Sequence, residues 1–284
     1  MLKRKYTTIV TATTWCVCGL LVTDACADLK LEQTLTVSGA PKRDRGKITI
    51  AKPTTEKIVT YYKDGKQRTE TADSVVIHDA VNEKTFFLDP RKKTFYEASS
   101  AGAVTTDDSN PMAAMAKMGE LDGDVVVTDL KEEKTILGKK AHRYSYIMTL
   151  KFSLKDPNAP AMMAAFLPSF VTTGDQWMAE IPDSFVFAKR NGQSAFAGLP
   201  SGLGKSFMPL VEKMGKMKGI PLEATHSSKM SFGESAPAQM TANMPKEPTV
   251  RQTITTALSE APLPDSLFSV PDDYKKVKAP GEKK

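Results

Sequence analysis

Ile58-Val-Thr-Tyr-Tyr-Lys-Asp-Gly-Lys-Gln-Arg-Thr-Glu-Thr71 reads as two short strands, Ile58 to Lys63 and Lys66 to Thr71, folded about Asp64-Gly65. β-Branched and aromatic residues fill the first arm, and Asp-Gly accepts the positive φ that a type I′ turn needs at both central positions. Moving outward, Val75 to His78, Thr85 to Leu88 and Thr94 to Tyr96 repeat the pattern, separated by Asn82-Glu83 and Asp89-Pro90. Links this short leave neighbouring strands to pair, so the region from Leu29 to Glu97 is expected to be an antiparallel meander.

Strands resume with Val125 to Leu130 and with Ala141 to Leu150. In the latter, His142, Tyr144, Tyr146, Met148 and Leu150 alternate with Arg143, Ser145, Thr149 and Lys151, with Ile147 the exception on the polar side. A sheet with one apolar face needs a cover on that face. Three segments rich in methionine and phenylalanine are expected to supply it as short helices: 110–119 with Met112, Met115 and Met118, 159–170 with Phe166 and Phe170, and 206–217. In the last, Ser206 caps, Pro209 fits the first turn, and Leu210, Val211, Met214 and Met217 form a stripe against Glu212, Lys213, Lys216 and Lys218. A final β-like run, Thr249 to Leu258, leads into Pro262 to Pro271, whose three prolines exclude a helix.

The N-terminus has the form of a secretory signal: Lys3, Arg4 and Lys5 precede an uncharged stretch from Thr8 to Thr23, ending at Ala25-Cys26-Ala27. Cleavage is expected after Ala27, and a periplasmic location follows. A retained anchor would need ~20 predominantly apolar residues, more than this threonine-rich run supplies, so no transmembrane segment is expected after cleavage. A lipoprotein cut before Cys26 is disfavoured, because Thr23 and Asp24 stand where an aliphatic and a small residue belong. The expected organisation is a signal over 1–27, a single β-rich domain over 28–274 and a disordered basic tail over 275–284. All three cysteines, Cys16, Cys18 and Cys26, fall in the signal, so the mature chain would have no disulfide, thiolate metal site or cysteine nucleophile. The formal charge of +6 falls to a mildly basic balance once the signal leaves, much of the excess sits in the tail 275–284, and without interleaved stacking aromatics no nucleic-acid partner is expected.

Several motifs fall short of chemistry. Gly202-Leu-Gly204-Lys205-Ser206 resembles the end of a phosphate loop, but the position five before Gly204 is Leu199. Gly192-Gln-Ser194-Ala-Phe196 lacks the closing glycine of a nucleophile elbow. His78, His142 and His226 are isolated, and Asp122-Gly-Asp124 reads as a turn cap because the other ligands of a calcium loop are missing. The fourteen methionines, densest at Met112, Met115, Met118 and at Met214, Met217, have the softness Cu(I) prefers, yet the same spacing is what helix packing demands. A third reading is a pliable surface for varied apolar ligands. No cofactor, metal site or catalytic residue is expected.

Six segments carry a resemblance: Thr60 to Thr69, Phe86 to Tyr96, Lys134 to Tyr144, Asp175-Gln-Trp177-Met-Ala, Gly219-Ile-Pro-Leu222 and Leu267-Phe-Ser-Val-Pro-Asp-Asp-Tyr274. In this order they resemble an exported bacterial domain-of-unknown-function family similar in fold to the LolA/LolB-like periplasmic lipoprotein carriers. The resemblance runs from about Leu29 to Val277. It implies a mainly β (α+β) fold, a curved antiparallel sheet forming an incomplete barrel, with short helices over its apolar face and no enzyme activity. A lipid or other apolar ligand is the expected partner, lined by Met112, Met115, Met118, Phe166, Phe170, Trp177, Phe207, Leu210, Met214 and Met217. The alternative is a non-catalytic structural or protein-binding envelope component with a filled core.

Overall fold

The computed structural model describes residues 28–44, 47–99, 119–154, 167–180, 209–210, 212–233, 236–237, 241 and 244–279. Its strands are β1 (Leu29–Ser38), β2 (Pro41–Asp44), β3 (Lys47–Ile50), β4 (Thr54–Lys63), β5 (Lys66–Glu70), β6 (Val75–Asp79) and β7 (Lys84–Asp89). They continue with β8 (Thr94–Ser99), β9 (Gly119–Ile136), β10 (Lys139–Leu154), β11 (Pro168–Ala179), β12 (Ile220–Phe232), β13 (Thr249–Ser259) and β14 (Lys275–Lys276). Twelve of these form one sheet in the order β14-β8-β7-β6-β5-β4-β1-β13-β12-β11-β10-β9, and β2 and β3 form a separate hairpin.

The sheet is two meanders joined along β1 and β13. The first, β4 to β8, is the one read outward from Ile58. Lys63 pairs with Lys66 across Asp64 (φ 43) and Gly65 (φ 78), the double positive φ that Asp-Gly accommodates. The second runs back from β13 to β9, all antiparallel, and the sheet ends at β14 and β9 without closing into a barrel. Its curvature is legible in two ion pairs. Lys139 of β10 reaches Glu260, just past β13, at 2.7 Å, and Lys134 of β9 reaches Glu223 of β12 at 2.6 Å. Three strand spacings in a flat sheet span about 14 Å, so the strand tips must curl toward one another. The curl encloses a cluster around Leu29, Leu31, Ala141, Ala179, Ile220 and Leu222.

Several expectations are corrected here. The 159–170 segment gives way to strand from Pro168, placing Phe170 in β11. Its continuation, Val171-Thr172-Thr173, is β-branched, and strand packing against β10 and β12 decides a short apolar run that periodicity leaves ambiguous. Strand β9 is far longer than Val125 to Leu130, so Asp122-Gly123-Asp124 lies within a strand and caps no turn. Between Pro264 and Pro271 the chain makes one 3-10 turn, Asp265–Phe268, short enough for the prolines to flank it. The basic tail is ordered at its start: Lys275 and Lys276 pair in parallel with Thr94 and Phe95, and Val277 N–H donates to the Phe95 carbonyl at 2.8 Å. Val270 and Tyr274 pack on Val75, Ile77 and Leu88 beside it, and Lys276 pairs with Glu97 at 2.9 Å. Residues 280–284 and 1–27 lie outside the described residues, as does most of 110–119.

Candidate functional site

The second meander carries the apolar face expected of β10. Tyr144, Tyr146, Met148 and Leu150 belong to one cluster with Phe152, Val125 and Val127 of β9, and Phe170 and Met178 of β11. Ile147 is 55% exposed on the other face, as its exceptional place in the alternation requires. The cover includes the helical residues 209–210 and 212–214, continuing as a turn to Met217. Leu210 is 1% exposed and Met217 is buried, with Met214 packed beside them. Leu210 can sit this deep because β9 offers Gly123 beneath it: a Cβ there would lie 2.9 Å from Leu210 Cδ1 and 2.8 Å from Leu150 Cδ2. Lys213 pins the helix from its exposed side through an ion pair with Asp124, which holds that carboxyl below its ordinary range.

Beside this apolar region lies a polar row that crosses four strands. Tyr146, Gly174, His226 and Arg251 are successive partners on β10, β11, β12 and β13. The Tyr146 ring lies flat across Gly174, where a Cβ would meet ring carbon Cε1 at 2.1 Å, and its hydroxyl reaches His226 Nδ1 at 2.8 Å. Burial, seconded by the Arg251 charge, lowers the His226 pKa, so the imidazole is neutral, and its tautomer sets which partner donates in the hydrogen bond with the phenol. Burial pushes the Tyr146 hydroxyl up to about 12. Replacing Gly174 by alanine is expected to cost about 1–3 kcal/mol by displacing the ring. Urea denaturation checks this, with Tyr146→Phe, which keeps the ring and loses one hydrogen bond, as the milder comparison.

The lowered His226 pKa sets a pH dependence. Because the unfolded histidine binds its proton first, near pH 6.5, stability is full above that pH. It falls as pH drops toward the folded pKa, at no more than about 1.4 kcal/mol per pH unit. Chemical denaturation from pH 7.5 to 5.5 should register this slope, and His226→Gln should flatten it.

Of the residues expected to line a ligand site, Phe170, Leu210, Met214 and Met217 are brought together in this one cluster. Met112, Met115, Met118, Phe166 and Phe207 lie outside the described residues. Trp177 goes elsewhere. It alternates with Met178 and so faces the opposite side of β11, packing at the edge of the Leu29 and Leu222 cluster. There Lys134 Nζ sits 4.3 Å from the ring centroid and the Arg143 guanidinium 5.7 Å. Arg143 forks onto Asp175 at 2.7 Å and 3.1 Å and also meets Glu132 at 2.9 Å, which raises its pKa further. A groove runs from Asp175 and Trp177 over Glu223 and Thr225 to Gln252 and Ile254.

Sequence reasoning missed the Tyr146 and His226 pair because only the register between β10, β11 and β12 makes them neighbours. Among the described residues no group of three or more histidine, aspartate or glutamate side chains is arranged to hold a metal. No protein-family model and no curated protein matches the chain.

Proposed function

We propose that the protein is exported and binds an apolar ligand, a lipid or lipoprotein acyl chain, against the methionine- and aromatic-rich sheet face now covered by residues 209–217. The observation that carries this reading is the way the cover is seated. A short amphipathic segment buries Leu210 and Met217 on Tyr146, Met148, Phe152 and Phe170, but is tied from outside by the single ion pair of Lys213 with Asp124 among the described residues. An acyl chain taking the place of these side chains would gain about 0.8 kcal/mol per buried methylene, and methionine adapts to ligands of different shape. Gly219, at φ +96, is the turn through which the segment would swing away from β12.

A second reading has an observation of its own. With Leu210 only 1% exposed, the segment already fills the face it covers, as a structural or protein-binding envelope component would require. The two separate on titration with a fluorescent fatty acid. Saturable binding that unlabelled phospholipid displaces supports the carrier; no uptake at any concentration below micelle formation supports the filled core.

Export is part of the proposal. The charged Lys3 to Lys5 segment, the uncharged run that follows and the Ala25-Cys26-Ala27 site support it, and no helix among the described residues is long and apolar enough to cross a membrane. N-terminal sequencing of protein released by osmotic shock should begin at Asp28. Recovery of an uncut chain in the cytosol would overturn it.

A further inference from the structure

We infer that the groove beside Trp177, on the opposite face of the sheet from the methionine cluster, binds a neutral sugar ring of a glycan. Two cross-strand rows build it. Asp175, Thr225 and Gln252 are in register across β11, β12 and β13, and Trp177, Glu223 and Ile254 form the next row. The floor is therefore strand backbone, fixed by ladder hydrogen bonds, and spans about 10 Å from β11 to β13.

Several of the side chains that rise from it have polar groups with no partner among the described residues. The Trp177 indole N–H, the Thr225 hydroxyl and the Gln252 amide have no hydrogen-bond partner among the described residues, and Thr225 and Gln252 are exposed. Asp175 and Glu223 each keep lone pairs beyond those given to Arg143 and Lys134. A groove offering two carboxylates, an amide, a hydroxyl and an indole N–H matches a ligand that carries several hydroxyls, each both donor and acceptor.

Charge selects against ions. Arg143 neutralises Asp175 and Lys134 neutralises Glu223, so a cation would have to displace a resident cation and an anion a resident carboxylate. A neutral polyol meets no such opposition. The apolar contact for the C–H face of a sugar ring comes from Ile254, 41% exposed, and from the indole edge, since Lys134 occupies the position over the indole face.

The test is a nitrogen-15 NMR titration of the full chain, reading the indole N–H of Trp177. The sequence has two tryptophans, Trp15 and Trp177, and Trp177→Phe assigns the signal. The probes are neutral gluco-, manno-, galacto- and N-acetylglucosamine oligosaccharides, with spermidine and citrate as charged comparisons. The expected result is a saturable shift with at least one neutral oligosaccharide, weakened about tenfold or more in the Thr225→Val, Gln252→Ala double variant. Both positions are exposed, so the variant should keep its fold, and an unchanged amide spectrum elsewhere verifies it. No shift with any neutral oligosaccharide, a shift that the double variant retains in full, or a response to spermidine or citrate alone would overturn the assignment.

Discussion

Replacing Gly219 by alanine should destabilise the protein by about 3 kcal/mol or more, the largest effect expected of any single small substitution. The added methyl would lie 2.0 Å from the Ala179 carbonyl oxygen and 2.6 Å from its carbon, both backbone atoms that cannot rotate aside. The residue would also have to hold φ at +96, where L side chains are strained. Gly138 supplies the comparison. It too has positive φ, +76, but nothing lies within 4 Å of its Cβ position, so Gly138→Ala should cost only about 1 kcal/mol. Urea midpoints for the two variants should differ accordingly. Equal midpoints would mean that the chain does not cross Ala179 as described, and the hinge at the start of β12 would go with it.

The double substitution Leu210→Glu, Met214→Glu should abolish retention of an acyl ligand while leaving the strands paired. At position 210 the carboxylate would replace a side chain that is 1% exposed and packed over Gly123 and Leu150, where an unpaired charge costs several kcal/mol. Protonation would remove the charge but leave an unpartnered polar carboxyl in an apolar site, so the segment is expected to lift from the sheet, exposing Met217 and the aromatic face beneath. Each ladder of β9 to β12 is independent of the segment, so far-ultraviolet circular dichroism should stay strand-like. Lipid recovered per mole of protein measures the effect. Full retention in a folded double variant would remove the ligand from this face; loss of the circular dichroism signal would make the segment part of the core.

What the sequence discloses and what it withholds follow from range. The meander around Asp64-Gly65 is legible because each strand pairs with its neighbour through a turn whose residues announce it. The hairpin between β9 and β10 is less so, since its turn is Leu137-Gly138 and a leucine at φ 50 is not a turn signal. Phe170 was ambiguous because a short apolar run serves helix and strand alike, and only pairing with β10 and β12 decides. Tail residues Lys275 and Lys276 are exposed, as their composition suggests, yet they pair with a strand far back in the sequence, beside the packed Val270 and Tyr274. For the candidate site, alternation along β10 correctly collects Tyr146 and Met148 on one face. That Tyr146 covers Gly174 and meets His226 depends on a register no local pattern encodes. The same holds for Trp177, grouped by its apolar character with residues that the pleat puts on the opposite face.

The most direct test of an apolar ligand on the covered face is native mass spectrometry of the protein purified without detergent from the cells that make it, followed by solvent extraction. The expected result is a stoichiometric adduct whose extract contains acyl chains and which the Leu210→Glu, Met214→Glu variant lacks. A bare protein mass that phospholipid and fatty acid leave unchanged would contradict it and assign the covered face to the core.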